Sequence, residues 1–209
     1  MPSLNNWMPR AVAAAFVACI VTSSISAQQQ APTVRIRGTI ESIDGNTLGI
    51  KTREGTDVKV KMTDNVAVFA VVKTQLSEIK EGSYIGVTAM PEPDGTQKAI
   101  AVHIFPENQR GAAEGFRPWD ARANSTMTNA TVAQTVKGTD GQNITVKYKD
   151  GEKKVVVPPE TPIVTFVASD KSEIKPGAKL IIFGAAKKDD GTLEANRVNV
   201  GRDGLTPPM

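Results

Sequence analysis

The chain is poor in the side chains from which reactive sites are built. Its 209 residues include one cysteine and one histidine, and aromatic residues make up 5%. Cys19 lies in an apolar N-terminal stretch, so removal of that stretch would leave no disulfide, thiolate metal site or cysteine nucleophile. His103 stands alone and cannot form a histidine cluster. Because it lies between Val102 and Ile104 on a strand-like run, alternation turns it to the opposite face, where it is expected to meet solvent. Asn199 takes its place in the second half of the chain, which argues against a repeated histidine site. Asp189-Asp190-Gly191 has the look of a calcium turn but lacks the further oxygen ligands that a calcium loop needs. Walker, dinucleotide-binding, nucleophile-elbow and HExxH sequences do not occur. No catalytic, metal or cofactor-binding residues are therefore expected, and the protein reads as a non-enzyme.

Two further features are scarce, namely charge of one sign and long apolar runs. The net charge of +3 falls to +2 without Arg10, and lysines and acids alternate along nearly every segment. Nucleic acid, which selects for a clear basic excess on one face, is not the expected partner. After residue 27 no apolar stretch approaches the roughly 20 residues of a membrane-spanning helix.

What is present begins with an export signal. Arg10 precedes an apolar run from Ala11 to Val21, followed by small and polar residues to Ala27. This is the anatomy of a signal peptide over residues 1–27, which predicts a periplasmic or secreted protein. Acylation at Cys19 is the alternative, but Phe16-Val17-Ala18-Cys19 matches a lipoprotein box poorly.

The rest of the chain repeats itself. At an offset near 96, Asp44-Gly45 answers to Asp140-Gly141, Lys51 to Lys147, Gly55 to Gly151, and Asp94-Gly95-Thr96 to Asp190-Gly191-Thr192. Ser77-Glu78-Ile79-Lys80 recurs as Ser172-Glu173-Ile174-Lys175, with Gly82 answering to Gly177. Within each copy β-branched residues alternate with polar ones between turn dipeptides. The first copy predicts strands at Val34–Ile43, Thr47–Thr52, Thr56–Met62, Val66–Val72, Ser83–Met90 and Lys98–Phe105, with one helical turn at Leu76–Lys80. The strand at Val66–Val72 is expected to be an extra one in the long connection. Ile36, Ile40, Leu48, Ile50, Val58, Val60, Ile85, Val87, Val102 and Ile104 are the expected core. Three strands, a helical connection and two strands is the order of an OB-type barrel. The expected fold is thus all-β, two tandem small OB-like Greek-key barrels, at residues 33–106 and 129–201. A linker at 107–128 would join them, and a tail would follow at 202–209. Modules of this size have small cores, so contact between them is expected.

The run Gly38-Thr39-Ile40-Glu41-Ser42-Ile43-Asp44-Gly45-Asn46-Thr47-Leu48, with Ile50-Lys51-Thr52 and Ser77-Glu78-Ile79-Lys80-Glu81-Gly82, resembles an uncharacterised OB-like domain of bacterial secreted proteins. The resemblance covers both copies and implies a fold without implying any catalytic residue. Proteins similar to the whole chain are sometimes described as permease components of metal ABC transporters. That role needs several apolar spans, which this sequence lacks.

Two groups of residues are candidates for interaction. In the linker, Phe116, Arg117, Trp119 and Asp120 combine aromatic and charged side chains of the kind that dominate binding hot spots. The alternative is that Phe116 and Trp119 clasp the linker into a groove between the modules. In the second copy Lys147, Lys149, Lys153 and Lys154 surround Tyr148. They could bind an anionic envelope polysaccharide or lipid headgroups, or simply keep an exposed strand from aggregating. The expected function is a non-catalytic periplasmic binding or protein-interaction module, with an envelope protein or anionic polysaccharide as the candidate partner. Its alternatives are an envelope-associated structural or stress-protection protein, and an accessory metal binder of a transporter.

Overall fold

Residues that alternate β-branched and polar side chains fold here as strands, since branched side chains pack well on a pleated surface. The computed structural model describes residues 32–138 and 141–209. The expected signal peptide, Cys19 and the Asp140 turn lie outside the described residues. The chain from Ala31 to Met209 is one compact unit. Its strands are β1 (Thr33–Asp44), β2 (Thr47–Thr52), β3 (Asp57–Lys73), β4 (Tyr84–Pro91), β5 (Gln97–Ile104) and β6 (Gly115–Pro118). They continue as β7 (Thr126–Gly138), β8 (Gly141–Tyr148), β9 (Gly151–Val157), β10 (Ile163–Ser169), β11 (Lys179–Lys187) and β12 (Leu193–Gly201). Among the described residues the helical elements are single 3-10 turns, and no helix is long and apolar enough to cross a membrane. The expected turn at Leu76–Lys80 forms over Leu76–Glu78, and its counterpart forms over Lys171–Glu173. Gly82 and Gly177 follow these turns at φ of 82° and 84°, a region that glycine enters without strain.

The strands β12-β11-β1-β2-β3 are neighbours in that order. β3 also pairs in parallel with β12, from Leu193↔Val60 to Gly201↔Val71, so the five close into a barrel. Ile36, Ile40, Leu48, Ile50, Val60, Leu180, Ile182 and Val198 fill its interior. Each buried side chain of this kind stabilises the fold by about 1.5–3 kcal/mol. The strands β9-β8-β7-β4-β5 form a second series, and β5 touches β9 in parallel at Gln97↔Val155 and Lys98↔Val156. Ile85, Val87, Val102, Val132, Ile144 and Val146 pack inside this series. β10 bridges the two, antiparallel to β3 and parallel to β5.

This pairing departs from the expected division into consecutive modules. The closed barrel takes β1, β2 and β3 from the first copy and β11 and β12 from the second. The other series takes β4 and β5 from the first copy and β7, β8 and β9 from the second. Each copy thus contributes its last two strands to the other copy's first three. The sequence repeat itself makes this possible, because strands with the same alternation fit either site.

Other expectations change as well. Thr56–Met62 and Val66–Val72 form the single strand β3, so Val66–Val72 is part of the barrel wall and not an extra strand in a connection. In the second copy Pro158, Pro159 and Pro162 break the corresponding run into β9 and β10, since proline removes a ladder donor. Within the segment expected as the linker at 107–128, β6 pairs with the start of β7. His103 does lie on the face opposite Val102, but it is only 3% exposed. That face is covered by a third apolar cluster, which includes Val71, Met127, Val164, Phe166 and Ile181 with Trp119 packed against it. Of the expected core residues, Val58 and Ile104 are only half-buried.

Candidate functional site

A cleft of about 300 Å³ opens where this third cluster meets the linker. β5 and its exit supply His103 and Phe105, β7 supplies Met127 and Asn129, and β10, β11 and β12 supply Phe166, Phe183 and Arg197. The linker adds Gln109, Ala112, Ala113, Arg117 and Trp119, and β1 adds Arg35. Of the aromatic side chains after residue 27, only Phe116 and Tyr148 lie away from this region. Tyr84, His103, Phe105, Phe166 and Phe183 form a chain of contacts. Tyr84 is 5.1 Å from Phe105, His103 is 4.5 Å from Phe105 and 5.5 Å from Phe166, and Phe166 is 6.3 Å from Phe183.

His103 sits here because β4 makes room for it. Gly86 is opposite His103 on β5 and opposite Asn129 on β7. A Cβ at Gly86 would overlap the imidazole and crowd the Asn129 carbonyl oxygen. Burial, reinforced by Arg117 and Arg197, pushes the His103 pKa down to about 3, so the ring is neutral at physiological pH. Asn129 donates from Nδ2 to the Ala112 carbonyl at 3.1 Å, and the Tyr84 hydroxyl donates to the same oxygen at 3.1 Å. Burial, followed by the charge of Glu114, pushes the Tyr84 pKa up to about 12.

The charged wall is made of arginines. Arg35 stacks on the Trp119 ring at 3.6 Å and pairs with Asp120 at 2.7 Å. Arg37 pairs with the same carboxylate at 2.7 Å. Burial alone would raise the Asp120 pKa, but hydrogen bonds and charge from Arg37 and Arg35 outweigh it and bring it to about 2. Arg117 donates to the Ala113 carbonyl at 2.8 Å. Arg197 donates from Nε to Asn199 Oδ1 at 2.9 Å and from both terminal nitrogens to Gln109 Oε1 at 3.2 Å, with Phe69 under it at 4.0 Å. Burial lowers the pKa of Arg117 and Arg197. Among the described residues neither has a carboxylate partner, and no carboxylate lines the cleft.

Buried polar atoms are normally satisfied, and each exception calls for a reason. Arg35 Nε, His103 Nδ1, Trp119 Nε1 and Asn129 Oδ1 are buried without a hydrogen-bond partner, and all four belong to residues lining this one cleft. A wider groove of about 530 Å³ runs along β1 and β2 beside Arg37, Lys51, Arg53 and Lys179, but none of the unpartnered atoms belongs to its lining.

The linker residues singled out from the sequence divide. Arg117 and Trp119 line the cleft, and Asp120 ties the linker to β1 at its edge. Phe116 points away, is 39% exposed and lies 4.4 Å from the Lys153 ammonium. The four lysines do not share a face. Register places Lys147 opposite Glu152 and Lys154 opposite Thr145, whereas Lys153 sits opposite the inward Val146. Lys149 lies in the turn, its backbone N–H donating to Glu114 at 2.9 Å. Sequence reasoning missed Arg35, Gln109, Asn129, Phe166, Phe183 and Arg197, and it assigned His103 to solvent. One signal was open to it, the mismatch between copies in which His103 answers to Asn199.

Compared with known proteins, the chain matches no family model, no curated protein and no solved structure.

Proposed function

We propose that this is an exported, non-catalytic binding protein that holds a small molecule in the cleft between Trp119, Phe166 and Arg197. The carrying observation is that, among the described residues, four of the seven that hold a buried polar atom without a hydrogen-bond partner line one aromatic-walled cavity. We read these groups as ones that a ligand bound there would satisfy. The signal-peptide anatomy supports export. The scaffold reads as two OB-like Greek-key barrels that exchange their final strand pairs. Support comes from the strand order β1-β2-β3-β12-β11, with parallel closure between β3 and β12, and from the matching order in the other series. The resemblance to OB-like domains of bacterial secreted proteins agrees with that reading.

Ligand-observed NMR on residues 28–209, with a panel of small organic acids, amides and sugars, tests the cleft. Ala112→Trp fills the cavity from an exposed wall position. Binding of at least one panel class should disappear in this variant while the fold is retained. If every observed binder is unaffected by Ala112→Trp, the cleft is not the site.

An envelope-polymer role through the lysines is the second reading, favoured by the exposure of Lys147 and Lys154 on the β8–β9 hairpin. Reversing Lys147, Lys149, Lys153 and Lys154 to glutamate should abolish co-sedimentation with anionic envelope polymer on that reading. On the cleft reading it should leave small-molecule binding intact.

A further inference from the structure

Resting on the cleft as the binding site, we propose that its ligand is a small aromatic carboxylate, with one ring against the aromatic wall and the acid group between Arg117 and Arg197. Charge gives the first argument. Arg35 and Arg37 both pair with Asp120, and Arg37 also donates from Nε to the Met209 oxygen, while Arg117 and Arg197 bond only to neutral oxygens. Half-buried guanidinium groups without a counter-charge carry an uncompensated desolvation cost, and an incoming anion offsets it.

The inventory of open atoms gives the second argument. Arg35 Nε and Trp119 Nε1 can only donate, so an electron-rich acceptor is wanted on their side. Neutral His103 and the Asn129 oxygen are 3% and 4% exposed by residue, so these open polar groups are built into the interior. Neither adds a charge that would repel a carboxylate. Asn129 Oδ1 requires a donor, which a ring hydroxyl would supply.

Shape and size give the third argument. Phe105 and Phe166 lie 4.5 and 5.5 Å from His103, and Phe183 lies 6.3 Å from Phe166, spacings at which aromatic rings attract one another. An apolar cavity of about 150 Å³ accommodates benzene. At about 300 Å³ the cleft has room for one ring with a short acidic chain, and little beyond it. A polysaccharide would need a longer, open groove.

Isothermal titration of residues 28–209 with 3-phenylpropionate, 3-phenylpropanamide, galacturonate and inorganic phosphate decides the class. The phenylpropionate should bind, the amide should bind about tenfold more weakly or worse, and Arg197→Gln should weaken the acid by a similar factor without affecting the amide. Arg117→Gln provides the same comparison at a residue with a single backbone bond, should Arg197→Gln lower the melting temperature. Equal binding of acid and amide would overturn the carboxylate assignment and leave the cleft reading standing. Galacturonate or phosphate binding as tightly as phenylpropionate would overturn the aromatic assignment. Absence of phenylpropionate binding at millimolar concentration would overturn the proposal outright. The Ala112→Trp comparison then decides separately whether the cleft reading survives.

Discussion

The hairpins β4–β5 and β11–β12 occupy equivalent places in the two repeats and differ at two facing positions. In β11–β12, Ile181 faces Asn199, which donates to the Ile181 carbonyl at 3.0 Å and accepts from Arg197 at 2.9 Å. In β4–β5, Gly86 faces His103, and His103 Nδ1 has no partner. One hairpin closes its buried polar group on the protein, and the other leaves it without a partner in a residue that lines the cleft. A repeat with two equal copies would give two equal sites, and the departure from symmetry confines the proposed ligand site to one of them.

Acid should expose that difference most strongly. His103 titrates near 6.5 unfolded and near 3 folded, so between these values the unfolded chain binds more protons. Stability is therefore fully present above about pH 6.5 and falls as pH drops towards 3, by on the order of 4 kcal/mol. Asp120, lowered to about 2, loses its contribution below its ordinary value near 3.8, and so acts later in the same direction. Urea unfolding at pH 7 and pH 4 should show the fall in wild type and a much smaller one in His103→Asn, which copies the other hairpin. Equal pH dependence in both proteins would remove His103 as the cause.

Truncating the closed hairpin comes next. Asn199→Ala strips a fully buried group from Arg197 and from the Ile181 carbonyl, and should cost about 2–3 kcal/mol at pH 7. A cost under half of that, by the same unfolding measurement, would mean that water replaces it. Gly86→Ala tests the open hairpin, where overpacking against His103 should cost about 1–3 kcal/mol. In a double-mutant cycle with His103→Ala, most of that cost should vanish, and strict additivity would contradict the packing described. The smallest effect separates the linker aromatics. Phe116→Ala, at an exposed position, should cost under about 1 kcal/mol, whereas Trp119→Ala should cost about 2–3 kcal/mol.

Much of the scaffold was legible because it is written locally. Alternation located β2 residue for residue, and the glycine-containing turns divided the strands on either side. The exchange of strand pairs was not legible, since Ile85 and Val87 or Leu180 and Ile182 satisfy either barrel by the same pattern. Only tertiary fit distinguishes the partners. His103 shows the same limit at one residue. Its face followed from alternation, but solvent was assumed beyond that face, where Phe166 and the linker in fact lie. Trp119 was legible as either clasp or recognition residue. In the structure it packs against the third apolar cluster and also lines the cleft, with its Nε1 buried and without a partner.

In residues 28–209 Trp119 is the only tryptophan, so a proton–nitrogen NMR spectrum contains a single indole N–H signal, from a residue that lines the cleft. Adding 3-phenylpropionate, or any panel compound that binds, should shift that signal in wild type and leave it in place in Ala112→Trp, apart from the new indole. Saturable binding that leaves the Trp119 signal unmoved would contradict the account, because the occupied site would then lie elsewhere on the molecule.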